Sequence, residues 1–203
     1  LSACYCQTIR DSYTLSDLLA KDDIMTLEAD IKLADRFLME RFIKGSIEFT
    51  GRFQAQKNHT KVSKAQCRQG DYIPSLHVVS LDLECSEKGI LYSIGLDSPA
   101  DSRVIMIGEP EPADTPIQWV KDEKALLQAL IAWFKQLDPD VIVGWNGIDF
   151  DFRLLHKRAE WHNMKLVLGR ADQPSFFRSS AQSQQGFISI PGRVVLDGID
   201  TLK

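Results

Sequence analysis

The sequence lacks any long apolar segment. No run of 18 or more apolar residues occurs along the 203 residues, so we expect no membrane-spanning segment and no membrane partner. The first ten residues, LSACYCQTIR, also lack the apolar stretch of a signal peptide. With 44% hydrophobic and 26% charged residues, the composition is typical of a soluble globular protein whose apolar residues form a core.

Cysteine is scarce, and its spacing excludes a zinc site. Of the four cysteines, only Cys4 and Cys6 are close in sequence, and Cys67 and Cys85 form no second pair that would complete four ligands. We therefore expect free, reduced thiols, which are typical of the cytoplasm.

A strong excess of positive charge is also missing. The net charge of −4 is not that of a protein that binds DNA tightly by electrostatics alone. One stretch nevertheless has cations and no acidic residue, namely Arg52, Lys57, Lys61, Lys64 and Arg68. Two interpretations stay open for it: contacts with phosphates, or an ordinary solvated hairpin loop.

The first part of the chain predicts a small mixed α+β module. Helical spacing occurs at 15–21 and 33–43, and a short strand is predicted at 24–27. Ile47, Phe49 and Phe53 alternate with polar residues, which predicts a further strand. A polar, basic segment at 54–70 and then Pro74 follow. We predict a module at 1–73 and a second domain at 74–203.

From residue 76 onward the pattern predicts an α/β domain. Three strand candidates, LHVVSLDLE, GILYSIGL and RVIMIG, precede a helix with an apolar stripe, KDEKALLQALIAWFKQL. A short strand, VIVGW, and a second helix, FDFRLLHKRAEW, follow, and RVVLD predicts a last strand. The polar segment 173–185 predicts a loop or lid. This order of elements indicates a sheet that a later strand joins in parallel.

Acidic pairs spaced i, i+2 occur five times, so the spacing alone is weak evidence: Glu28/Asp30, Asp82/Glu84, Glu109/Glu111, Asp138/Asp140 and Asp149/Asp151. Asp82 and Glu84 differ because they end an apolar strand, where alternate side chains share a face. Two anions placed against a core are unfavourable unless a cation compensates them. A metal site and a solvated strand end both remain possible interpretations.

A second polar site follows the strand VIVGW. The segment GWNGIDFD opens the next helix and places Asn146 and Asp151 at the carboxyl edge of the predicted sheet, where open α/β proteins bind ligands. Asp149 or Asp151 acting as a helix N-cap is the alternative. Phe150 is either a ligand contact or a core residue.

These motifs resemble the family B DNA polymerases. VVSLDLEC is similar to that family's first exonuclease motif, and DPDVIVGWNGIDFDFRLL to its second. PGRVVLDGIDTLK and, upstream, LEADIKLADRFLMERFI extend the resemblance over nearly the whole chain, with bacterial members the most similar. It implies a ribonuclease H-like fold with a mixed β-sheet, preceded by part of the polymerase N-terminal module. It also implies 3′→5′ proofreading activity on DNA.

The resemblance also implies the roles of individual residues. Asp82, Glu84 and Asp151 would be catalytic carboxylates that hold two Mg²⁺ ions, for which Mn²⁺ can substitute. Asn146 and Phe150 would position the single-stranded 3′ end of a primer. Bacterial cytoplasm is the expected location, and a sliding clamp is an expected partner through other parts of the polymerase.

One element of the family pattern is missing. The third motif, Tyr-x-x-x-Asp, has no counterpart because the last tyrosine is Tyr92. Asp197 and Asp200 are weak substitutes for its carboxylate. This absence, like the lack of an initiator Met, leads us to expect a piece of a longer polymerase with poor nuclease activity. The alternatives are a four-carboxylate exonuclease that acts on RNA or oligonucleotides, and a non-catalytic single-strand-binding module.

Overall fold

The computed structural model describes residues 2–56, 59–180 and 185–202. The chain folds as two compact units, Leu1–Pro74 and Ser75–Lys203. Within the described residues, no helix is both long and apolar enough to cross a membrane.

In the described part of the first unit there are two helices and one pair of antiparallel strands. Helix α1 (Ile9–Lys21) begins where the side chain of Thr8 accepts a hydrogen bond from the Asp11 N–H, and helix α2 (Leu33–Met39) follows. Strands β1 (Ile47–Ala55) and β2 (Thr60–Gln69) pair antiparallel, with a bulge between Thr50 and Arg52. Each of these helices and strands is thus formed by residues that are close in sequence.

Several predictions for the first unit were wrong in detail. Residues 24–27 form no strand, because no neighbouring strand pairs with them. The helix predicted at 33–43 ends at Met39, and Phe42 has a left-handed backbone with φ 53°. The basic segment at 54–70 is largely strand β2 rather than a loop, while Lys57 lies outside the described residues.

The described residues of the second unit form a mixed sheet of six strands. Its strands are β3 (Val78–Cys85), β4 (Leu91–Asp97), β5 (Arg103–Ile107), β6 (Ile117–Val120), β7 (Val141–Gly144) and β10 (Val194–Asp197), in the order β10-β7-β3-β4-β5-β6. β3, β4 and β5 are antiparallel neighbours, whereas β7 lies parallel to both β3 and β10, and β6 lies parallel to β5. The predicted α/β class with a mixed sheet is confirmed.

One long helix supplies much of the core. Helix α3 (Glu123–Leu137) begins at Asp122, whose side chain accepts a hydrogen bond from the Ala125 N–H at 2.8 Å. Its predicted stripe is buried at Leu126, Leu127, Leu130 and Phe134, together with Trp133. The helix ends at Asp138, which adopts the left-handed conformation before Pro139. The pattern of helical spacing therefore identified the face that covers the sheet.

Three features of the second unit differ from the sequence-based expectations. The edge strand β6 was not predicted; it is only four residues long and half-buried along its length. Within the segment 173–185, predicted as a loop or lid, residues Phe176–Ser179 form strand β8 instead. This strand pairs antiparallel with β9 (Gly186–Ser189), in which Ile188 is buried, while residues 181–184 lie outside the described residues. The second predicted helix starts as a π-helical turn, Gly147–Phe152, and only then becomes helix α4 (Arg153–Trp161).

Candidate active site

Strand β3 extends beyond its parallel neighbour and presents two carboxylates. It pairs with β7 as far as Ser80 and Val143, but continues to Cys85. Side chains alternate along β3, so Leu81 and Leu83 are buried while Asp82 and Glu84 are exposed on the opposite face. As predicted, Asp82 and Glu84 lie on the same face of the strand.

Asp151 approaches the free edge of β3 from the second motif. It lies in the π-helical turn that follows β7 and is only 1% exposed. Its carboxylate interacts with the backbone N–H of Leu83, the residue between Asp82 and Glu84, and with its own N–H. π-Helical turns often occur at functional sites because they redirect side chains from regular helical positions. Here the turn brings the two predicted motifs together.

The environment of Asp151 opposes its negative charge. Burial, and next the charge of Asp82, raise the pKa of Asp151 to about 7, against the weaker opposing effect of the backbone N–H groups. Asp197 adds a further repulsion that raises this pKa. One oxygen, Asp151 Oδ1, is buried without a hydrogen-bond partner among the described residues. A carboxylate left in this state is a favourable place for a cation.

Asp197 is a buried carboxylate that sequence reasoning underrated. It ends strand β10, directly beside Gly144 of β7, and is 5% exposed. Its Oδ2 accepts a hydrogen bond from Ile148 N at 3.0 Å, and its Oδ1 accepts one from Ile199 N at 2.9 Å. Asp197 thus ties the end of β10 to the turn that carries Asp151. Its place directly after the apolar run VVL was the available signal. Asp200 is exposed.

No positive side chain neutralises this group. Within the described chain, no Lys, Arg or His forms a salt bridge with Asp82, Glu84, Asp151 or Asp197. The acidic pair Asp138/Asp140 differs, because Arg170 contacts both carboxylates, at 2.9 and 2.7 Å. The uncompensated charge therefore distinguishes the pair Asp82/Glu84 from the pair Asp138/Asp140. As placed, no three His, Cys, Asp or Glu side chains in the described ranges form a ready-made metal site.

The predicted nucleic-acid contacts lie at the same edge of the sheet. Asn146 follows β7, adopts the left-handed conformation with φ 58° and is exposed. Phe150 is 45% exposed, so the interpretation of this residue as part of the core is wrong, whereas Phe152 is 1% exposed and packs in the core. The structure leaves Asn146 and Phe150 open to a ligand.

Four of the basic residues predicted to touch phosphates lie in strands β1 and β2 of the first unit, and Lys57 lies outside the described residues. Arg52, Lys61 and Lys64 are exposed there. Arg68 pairs with Glu48 at 2.8 Å, so part of its charge is compensated. These four residues lie in strands and not in a loop, so the choice that stays open is between contacts with phosphates and an ordinary solvated strand surface.

Comparison with known proteins identifies the family. Residues 24–203 match the family described as "DNA polymerase family B, exonuclease domain". The chain belongs to this family. The resemblance seen in the two motifs is therefore confirmed.

Relatives of this family B exonuclease domain are DNA polymerases. The chain is 36% identical to DNA polymerase II of Escherichia coli over 98% of its own length and 26% of that protein. It is 26% identical to a DNA polymerase of Archaeoglobus fulgidus over 80% of the chain and 21% of that protein. The chain thus spans about a quarter of the length of these relatives.

A solved structure shares the fold. The family B DNA polymerase from the hyperthermophilic archaeon Pyrobaculum calidifontis matches with a TM-score of 0.67, 18% identity, 95% of this chain and 25% of that chain. This likeness supports the predicted ribonuclease H-like arrangement of the mixed sheet.

Proposed function

We propose that this exonuclease domain hydrolyses the 3′-terminal phosphodiester of DNA with divalent metal ions, as the proofreading part of a DNA polymerase. The observation that carries the proposal is the state of Asp151: buried, beside Asp82, with one oxygen unpartnered. A buried carboxylate without a compensating cation does not stabilise the fold. Binding of a ligand of opposite charge therefore explains why Asp151 occupies this position.

Asp82, Glu84 and Asp151 are the proposed metal ligands, and the metal is Mg²⁺, with Mn²⁺ as a substitute, because hard cations prefer carboxylate oxygens. When bound by these residues, divalent ions would supply the means to activate a water molecule and to stabilise the leaving oxygen. Asp151 supplies a fixed oxygen from the protein interior, since the turn that carries it is tied to Asp197. Asp82 and Glu84 are exposed on the same face of β3.

The proposed substrate is the single-stranded 3′ end of a DNA primer. Asn146 and Phe150, both exposed beside Asp151, would contact the terminal nucleotide through the amide and the ring. By analogy with the Escherichia coli relative, we extend the proposal to a polymerase of the bacterial cytoplasm. A sliding clamp is the further proposed partner of the longer enzyme, as the resemblance to the family implies.

Metal binding is the primary test. Free Mn²⁺, followed by electron paramagnetic resonance at pH 8, should decrease when the 203-residue chain is added. The double variant Asp82→Ala/Glu84→Ala should lose most of this binding. The matched control is Glu109→Ala/Glu111→Ala, an exposed acidic pair with the same spacing, and it should bind Mn²⁺ as the unaltered chain does. Equal binding by all three proteins would contradict the proposal.

Cleavage is the second test. A labelled single-stranded oligonucleotide should lose 3′ nucleotides slowly in Mg²⁺, because the chain contains no Tyr-x-x-x-Asp motif to supply a further carboxylate. Asp82→Ala should abolish this cleavage. Binding of the oligonucleotide without any response to Mg²⁺ or Mn²⁺ would instead favour the non-catalytic single-strand-binding module.

A further inference from the structure

Trp145 is an exposed aromatic residue at the edge of the candidate active site. It directly follows strand β7, beside Asn146, and is 67% exposed. A tryptophan normally contributes to stability by burying its large ring. The exposure of this ring therefore calls for another explanation.

The ring of Trp145 rests on a fixed piece of backbone. A Cβ atom on Gly198 would lie 2.6 Å from Cε3 and 3.1 Å from Cζ3 of Trp145, so only glycine leaves room for the ring there. Gly198 follows Asp197, whose carboxylate is held by the N–H groups of Ile148 and Ile199. One side of the indole is thus supported, and most of the ring remains open to solvent.

Another exposed tryptophan shows what makes Trp145 unusual. Trp161, at the end of α4, is 73% exposed, but the guanidinium of Arg158 lies over its ring at 5.5 Å. Among the described residues, no aromatic ring or guanidinium stacks on Trp145. Its outer surface is available to a ligand.

The electrostatics of this edge favour a neutral anchor. Asp82, Glu84 and Asp151 form no salt bridge with a described cation, so without metal the edge repels phosphates. Stacking of a base on an indole is not opposed by this charge. Every nucleobase has a π-face, so such contacts tolerate any sequence, as a nuclease that removes any mismatched nucleotide requires.

We propose that Trp145 is a stacking platform for a nucleobase of the single-stranded DNA, supported from behind by Gly198. This inference rests on the proposed function, because the substrate is taken to be a 3′ end entering at the carboxylates. It makes Trp145 a substrate-binding residue that acts independently of the metal.

The test uses tryptophan fluorescence in EDTA, where no cleavage occurs. Titration of the 203-residue chain with oligothymidylate should quench part of the emission, since a stacked base quenches indole. Trp145→Leu should remove this quenching and weaken binding roughly 5- to 100-fold. The matched control Trp161→Leu should retain both. An abasic oligomer of equal length should bind weakly and leave the emission of the unaltered chain unchanged.

Gly198→Ala provides a second variant that keeps the indole. The added methyl group should displace the ring, reducing quenching and affinity while circular dichroism shows the same fold. Equal quenching by the unaltered chain and Trp145→Leu, or equal loss in Trp161→Leu, would overturn the platform.

The two proposals fail in different ways. If Mn²⁺ binding requires Asp82 but no quenching requires Trp145, the stacking platform is overturned and the proposed exonuclease activity is still supported. Trp145-dependent quenching without Asp82-dependent Mn²⁺ binding would support the platform and overturn the exonuclease.

Discussion

The two units of the chain use the same local signals with very different results. Of the 22 buried hydrophobic residues described, only Ile43 belongs to the first unit. Helix α1 has a side-chain N-cap, as α3 does, yet α1 buries no residue and exposes Tyr13 and Leu18. Capping and amphipathic spacing therefore specify a helix in both units. The apolar face of the helix becomes buried only where a sheet packs against it.

Charge pairs show the same contrast. In the second unit, Glu123 is 7% exposed and accepts hydrogen bonds from Arg158 and from the Leu91 N–H, besides contacting His162. In the first unit, Glu48 and Arg68 pair in an exposed strand position. Water screens the exposed pair, whereas the buried group depends on its protein partners.

The largest expected effect comes from Glu123. Replacement of the buried Glu123 by Ala leaves Arg158, whose side chain is only 13% exposed, and the Leu91 N–H without their acceptor. It should lower the free energy of unfolding by about 3–5 kcal/mol, measured by urea denaturation. Glu48→Ala is the matched change in the first unit and should have no measurable effect. Similar losses in the two variants would remove the contrast between the units.

The acid response of Glu123 has a defined sign. Burial acts to raise the pKa of Glu123, but the hydrogen bonds from Arg158, Leu91 and His162 outweigh it and hold this pKa below its ordinary value. The resulting stability is present above the unfolded-state pKa and is lost as pH falls through the folded-state pKa. Glu123→Ala should therefore flatten the loss of stability in acid.

Truncation of the core is the next largest change. Leu130→Ala in α3 removes a fully buried side chain and should cost about 2–5 kcal/mol in the same denaturation experiment. Leu18→Ala in α1, where Leu18 is 53% exposed, should change stability by less than about 0.5 kcal/mol. If Leu18→Ala proved as costly, the first unit would have a core of its own in solution.

Asp151 should make the second unit respond to pH in the opposite sense from Glu123. Because the pKa of Asp151 is raised to about 7 in the fold, the folded state holds a proton that the unfolded state releases from about pH 4 upward. Metal-free stability should fall as pH rises from about 4 to about 7 and then level off. Asp151→Asn should remove this dependence and raise the melting temperature at pH 8.

A divalent cation should reverse that effect. At pH 8, Mg²⁺ or Mn²⁺ should raise the melting temperature of the unaltered chain, since a bound ion favours the Asp151 carboxylate. Asp151→Asn should show little response. An equal metal-induced shift in both proteins would place the bound ion elsewhere.

The smallest expected effect separates the two N-caps. Asp122→Ala removes the acceptor for the Ala125 N–H and should cost about 1 kcal/mol of global stability, because α3 is part of the core. Thr8→Ala removes the equivalent contact in α1. This change should loosen the first turn of α1, so that amide hydrogen exchange near Ile9 becomes faster. The midpoint of urea denaturation should stay the same.

Much of the second unit could be predicted from the sequence, and the reason is periodicity. Apolar alternation located β3, the apolar stripe located α3, and the run RVVLD located β10. The predictions failed where pairing partners decide the structure: β6 and the hairpin of β8 and β9 are short strands whose sequences carry little periodic signal. Residues 24–27 show the opposite error. They were predicted as a strand, but no neighbouring strand pairs with this apolar stretch, so it forms no strand.

The sequence by itself determined the family, the two motifs and the sharing of one face of β3 by Asp82 and Glu84, because strand alternation depends only on position along the chain. Only the tertiary structure decided that Asp151 is buried against β3 and that Asp197 anchors the turn beside it. It also decided that Phe150 and Trp145 are exposed. Burial, and the shift of a pKa that follows from it, depend on which distant segments pack together, and no local pattern carries that information.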